Sequence, residues 1–118
     1  MTIVTFQQLN VWQKAHSLAL FVYKSTESYP SKEKFSLTSQ MRRSALSITS
    51  NIAEGFGRRN AREKQQFYFV AKGSATELQN QLILSKDLGL IAETNFLKVE
   101  EEIIGILKML SKLISSIS

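Results

Sequence analysis

The sequence predicts an all-α fold, an antiparallel up-down-up-down four-helix bundle occupying one domain over residues 1–118. Three observations carry that reading. Apolar residues recur at threes and fours through nearly every long stretch, and nowhere do they alternate strictly as in a half-buried strand. One proline and five glycines are too few punctuators for a many-stranded β sandwich. Three of the four periodic segments run to about 20 residues or more with short connectors between them, which favours antiparallel neighbours.

The first helix is expected to open at Thr5, where Thr5 and Gln8 have the spacing of a capping box. Leu9, Trp12, His16, Ala19, Tyr23 and Thr26 then follow along one line. Tyr29-Pro30 stops the helix, because the residue before a proline is pushed out of the helical region. Residues 31–36 form a polar connector with room for a helical turn. A second helix carries Leu37, Met41, Ala45, Ile48, Ile52 and Phe56 down one side and small polar Ser44, Ser47, Ser50 and Asn51 down the other. The pair Gly55 and Gly57 can end it.

Asn60 and Glu63 signal the next start. The third helix shows Phe67, Val70, Ala71, Ser74, Leu78, Leu82 and Ser85 at helical spacing. Gly89 followed by Leu90 reads as a Schellman stop. The fourth helix starts near Thr94 and continues to the C-terminus through Phe96, Val99, Ile103, Ile106, Leu107, Leu110, Leu113, Ile114 and Ile117. No internal repeat or low-complexity tract divides the chain.

Composition removes several function classes. With no cysteine, disulfide frameworks, thiolate zinc sites and cysteine nucleophiles are excluded together. The longest unbroken apolar run, residues 18–23, is far short of the ~20 residues of a membrane span. The first residues lack the features of a signal peptide, so a cytoplasmic protein with no membrane role is expected. His16, the only histidine, is expected to be a packed or capped core residue and not a metal ligand. Glu100, Glu101 and Glu102 are consecutive and diverge around a helix. Gly55-x-Gly57 lacks the third glycine and the preceding strand of a dinucleotide fingerprint. Neither a catalytic constellation nor a cofactor or metal site emerges, and the expectation is a protein that is not an enzyme.

Apolar surface exceeds what one bundle needs. The fourth helix has its extra columns at Leu97, Ile104, Leu107 and Ile114, and the first helix at Val11, Leu18, Leu20, Phe21 and Val22. Self-association is the simplest use of such a surplus.

Charge is concentrated. The net charge is +5, and the segment from Gln40 to Lys72 holds the whole surplus: Arg42, Arg43, Arg58, Arg59, Arg62, Lys64 and Lys72 against Glu54 and Glu63. All five arginines lie there, which points to a polyanionic partner. A glycine-bearing loop leading into a helix N-terminus offers backbone amides and a favourable dipole to phosphate, and arginine adds a planar fork. Arg58, Arg59, Arg62, Lys64 and Lys72 are the expected phosphate contacts. Arg42 and Arg43 serve either the fold or a ligand; Glu54 is a partner within reach of Arg43, and Glu77 of Arg42. No RNP aromatics, zinc finger or helix-turn-helix accompany the charge, so binding by charge and shape is expected. Asn51 needs a hydrogen-bond partner, and Gly73-Ser74-Ala75 against Ser44 and Ser47 suggests close helix approach.

Ordered motifs resemble a known family. They are Phe6-x-x-Leu9-x-Val11-Trp12-Gln13-x-Ala15, then Leu37-x-x-Gln40-x-Arg42-Arg43-Ser44-Ala45-x-Ser47-Ile48-x-x-Asn51-Ile52-Ala53-Glu54-Gly55, then Ala71-x-Gly73-Ser74-x-x-Glu77-Leu78. The chain resembles the bacterial 23S rRNA-intervening-sequence proteins over essentially its whole length. Tyr29-Pro30 stands where Phe-Pro is usual. The resemblance implies a four-helix bundle that assembles as a homopentamer, related to the accessory protein of diversity-generating retroelements, and it carries over no catalytic residue. The resulting expectation is an oligomeric nucleic-acid-binding module, for RNA first. The alternative is a protein-interaction scaffold or accessory subunit for a nucleic-acid-processing enzyme such as a reverse transcriptase.

Overall fold

In the computed structural model, which describes residues 2–117, four helices follow one another: α1 (Asn10–Thr26), α2 (Ser39–Gly57), α3 (Ala61–Asp87) and α4 (Glu93–Ser115). With 27 residues rising 1.5 Å each, α3 spans about 40 Å, essentially the long dimension of the 43 × 26 × 20 Å molecule. Cross-helix contacts run in opposite directions along neighbours. Met41, Ser47 and Gly55 of α2 meet Ser85, Ser74 and Tyr68 of α3. Phe96 and Ile114 of α4 meet Lys86 and Gln65 of α3. The fold is the expected all-α bundle.

Thr5 and Gln8 do form a capping box, with Gln8 Oε1 accepting from Thr5 N at 3.0 Å. It closes only a 3-10 turn, Phe6–Gln8, and α1 begins after the extended Leu9. Between α1 and α2 the connector winds through a second 3-10 turn, Ser31–Glu33, and a π turn, Lys34–Thr38. Asn60 Oδ1 accepts from Arg62 N (2.8 Å) and Glu63 N (3.2 Å), so asparagine caps α3 as expected. Gly89 at φ +75° closes α3 as a Schellman motif, with Leu90 N donating to Ser85 O and Gly89 N to Lys86 O. No left-handed glycine ends α2, where Arg58 simply becomes extended (φ −79°, ψ 144°).

The core is lined by Met41, Ala45, Ile48 and Ile52 of α2, Ala71, Ala75, Leu78 and Leu82 of α3, and Phe96, Val99, Ile103, Ile106 and Leu110 of α4. The buried line of α1 differs from the expected one. It is Val11, Ala15, Leu18, Val22 and Thr26, whereas His16 and Tyr23 are exposed. Ala15 is fully buried on the inward line, and the rings of Trp12 and Tyr23 lie to its sides. Trp12 is half-buried, edge-on to Phe6 (5.2 Å between centroids) and stacked on His16 (4.7 Å). His16 is thus a surface stacking partner and not a core residue.

The apolar surplus also sits elsewhere. Val11, Leu18, Val22 and Ile114 are core and Leu107 is half-buried, leaving Leu20, Leu97 and Ile104 exposed on α1 and α4. Four more lie on the outward side of α3: Phe69 (56% exposed), Val70 (52%), Leu84 (48%) and Ile83 (40%). From Gln65 to Ser85 the only charged residues are Lys72 and Glu77. The antiparallel register of α3 and α4 sets Leu97 level with Ile83 and Ile104 level with Thr76.

Gly55 explains why α2 and α3 approach so closely. A Cβ there would fall 2.7 Å from Tyr68 Cε1 and 3.1 Å from Phe67 Cβ. Tyr68 is 2% exposed, and burial raises its phenol above its ordinary pKa. Further along, Ser47 Oγ and Ser74 Oγ are 2.7 Å apart, and Asn51 Nδ2 donates to Ser47 O (2.7 Å) and Ser47 Oγ (3.1 Å). Ser47 and Asn51 of α2 and Ser74 of α3 are therefore joined in one hydrogen-bonded seam, while Ser50 is exposed. Substituting Gly55 with alanine should lower stability by about 1–2 kcal/mol, overpacking outweighing the helix-propensity gain. Urea denaturation should show a lower midpoint at unchanged slope.

Candidate nucleic-acid interface at the α2–α3 turn

The last turn of α2, the three residues 58–60 and the first turn of α3 form one corner of the molecule. Arg58, Arg59 and Arg62 all reach solvent there. Arg58 Nη2 pairs with Glu54 Oε2 one turn earlier at 3.1 Å, and its guanidinium lies 4.8 Å over the Phe67 ring. Both members of that pair are substantially exposed, so it orients Arg58 more than it stabilises the fold. The guanidinium groups of Arg59 and Arg62 find no partner among the described residues. Asn60 already answers two amides of the α3 N-terminus. Two of the amides that the sequence reading offered to phosphate are thus already engaged by the asparagine side chain.

Lys64 sits at the same corner but is directed inward. Its ammonium donates to Gly55 O (3.1 Å) and Phe56 O (2.7 Å) and lies 5.4 Å from the Phe56 ring centroid, satisfying carbonyls at the end of α2. Lys72 is half-buried about ten residues, or roughly 15 Å, further along α3. Arg42 and Arg43 lie roughly 20 Å from the corner, near the other end of α2. The seven expected contacts thus do not gather at one place; three of them do.

The two upstream arginines have partners other than those anticipated. Arg42 Nε donates to Thr26 Oγ1 (2.9 Å) and Nη2 to Tyr23 O (3.2 Å), with the guanidinium 4.8 Å over the Tyr23 ring. It caps the end of α1 and does not reach Glu77. Arg43 bonds Gln40 and not Glu54. Gln65, unremarkable in the sequence, does for α4 what Lys64 does for α2, donating to Ile114 O (3.2 Å) and Ile117 O (2.5 Å).

Two recesses mark the surface. One, of about 500 Å³, is lined by Phe6, Ser50, Ala53, Glu54, Gly57 and Arg58 and opens beside the arginine corner. Sequence spacing along α2 could not reveal it, because its aromatic wall comes from a turn more than forty residues away. The other, of about 640 Å³ between α1 and α4, has Lys14, Lys98, Glu101 and Glu102 among its lining residues. Glu101 and Glu102, expected to diverge, share that recess with the two lysines. No cluster of three His, Asp or Glu side chains fit for a metal occurs among the described residues. None of the described helices is long and apolar enough to cross a membrane. Replacing Arg42 with alanine should cost about 1–2 kcal/mol through the lost cap of α1, and amide exchange should quicken at the end of α1 before the rest of the bundle.

No curated protein shows significant similarity to this chain. Among solved structures, a protein of unknown function from the S23 ribosomal protein family of Bacteroides thetaiotaomicron VPI-5482 superposes with a TM-score of 0.81. The two are 21% identical, with 89% of this chain and 95% of that one covered, a likeness of fold. The profile of the 23S rRNA-intervening sequence proteins matches residues 7–112, nearly the whole bundle, and the chain belongs to that family.

Proposed function

We propose that this protein is a non-enzymatic, oligomeric nucleic-acid-binding module that grips RNA through the arginine corner. The observation that carries the reading is the pair Arg59 and Arg62, exposed and without a partner among the described residues, beside an Arg58 fixed in direction by Glu54 and Phe67. Guanidinium groups held this way match phosphate oxygens in pairs. Lys72 adds a more distant positive charge on α3. Lys64, Arg42 and Arg43 act first on the fold, through the carbonyl and side-chain contacts already made.

Binding through phosphates releases counterions, so affinity should fall steeply with salt. Replacing Arg58, Arg59 and Arg62 together with alanine should weaken RNA binding and reduce the log–log salt slope by about 2, at ~0.7 per lost single-strand phosphate contact. An unchanged slope in fluorescence anisotropy titrations would sink the assignment.

The oligomeric part of the proposal draws on a different observation. The outward side of α3, with Phe69, Val70, Ile83 and Leu84, together with exposed Leu97 and Ile104 of α4, is too apolar to be left to water. Further copies of the chain are its proposed cover, and five is the number implied by the family resemblance. Self-association also multiplies the arginine corner along one assembly, so the oligomer and the nucleic-acid reading reinforce one another. Sedimentation at micromolar concentration should return a species several times 13.4 kDa, and Phe69→Glu with Ile83→Glu should return the single chain. A wild-type protein that sediments only as a single chain would remove the oligomer from the proposal.

A further inference from the structure

We propose that the recess between Phe6 and the outer face of α2 holds one unpaired base bearing an exocyclic amino group, so that the protein selects single-stranded RNA over duplex. The inference rests on the nucleic-acid reading of the arginine corner and specifies what that corner binds.

The shape argues for a flat, partly apolar occupant. Ser50, Ala53, Glu54 and Gly57 recur at helical spacing on one face of α2 and form the floor. Two of the four are the smallest residues available, and nothing lies within 4 Å of where a Gly57 Cβ would be. Phe6 forms the wall. Its ring is backed edge-on by Trp12 and in turn by His16, so it is held in place by packing. A fixed aromatic ring beside an open floor next to free arginines is the arrangement by which proteins stack unpaired bases while tracking the backbone.

The charges argue for the amino group. Glu54 lines the recess with Oε2 paired to Arg58, the one cation of the lining, so the recess itself offers a phosphate no unpaired charge, while Arg59 and Arg62 are exposed in the turn and first residues of α3 that follow. The Glu54 carboxylate can accept from the amino group of cytosine, as carboxylates do in base recognition. The base is then directed inward and the phosphates outward to the arginines. In a duplex the bases are stacked and their edges paired, and none can enter.

The test compares a fluorescent ten-nucleotide oligocytidine, the matching oligouridine and a duplex of the same length by anisotropy, with Trp12 emission as a second readout next to Phe6. The oligocytidine should bind roughly ten-fold tighter than the oligouridine and change Trp12 emission. Gly57→Leu, which fills the floor, and Phe6→Leu, which removes the flat ring, should each lower oligocytidine affinity roughly ten-fold and narrow its advantage over the duplex. Arg59→Ala with Arg62→Ala should weaken all three ligands. Equal affinity for the two homopolymers, or oligocytidine binding unaffected by both recess variants, overturns the base site. If the arginine variant still loses affinity in that case, the phosphate reading survives; if the wild type binds none of the three, both fall.

Discussion

The bundle is organised around one close approach, that of α2 to α3 at Gly55. With only a hydrogen at that position, the ring of Tyr68 lies directly against the helix backbone. That contact sets a short interhelical distance, which the small pair Ser47 and Ser74 then maintains with a hydrogen bond. Lys64 reaches the last carbonyls of α2 across the same short gap. The turn that follows can therefore be brief, and its brevity holds Arg58, Arg59 and Arg62 on one corner. Geometry that serves packing thus also decides where the positive charge is presented.

The arginines show how little residue type alone determines use. Arg42 reaches across to Thr26 and Tyr23 and completes the end of α1. Arg58 is tethered by a carboxylate and a ring and keeps its outward direction. Arg59 and Arg62 have no such tether among the described residues. A patch counted by charge would have seven members; a patch counted by free donors at one place has far fewer.

Much of the fold could be read from the sequence, because helix boundaries are local chemistry: Asn60 caps α3, Gly89 closes it, and Pro30 falls just beyond the end of α1. The core faces of α2 and α4 follow from periodicity for the same reason. The face of α1 could not be read that way, since it is apolar on two sides and only packing against the other helices turns the Ala15 line inward. The exposed face of α3 escaped notice because Phe69, Ile83 and Leu84 are interspersed with polar residues that soften its pattern. At the candidate site, the cluster 58–62 was visible as adjacent residues. The inward turn of Lys64, the capping role of Arg42 and the wall contributed by Phe6 all depend on contacts between distant segments, which spacing along one helix does not encode.

The three residues 58–60 joining α2 to α3 also bear on how the molecule assembles. Closing so short a loop removes little chain entropy, and helix pairs near in sequence are the ones formed fastest. The paired central helices can therefore serve as a nucleus onto which α1, delayed by its twelve-residue connector, and α4 condense afterwards. On that order, the arginine corner would lie in the nucleus itself.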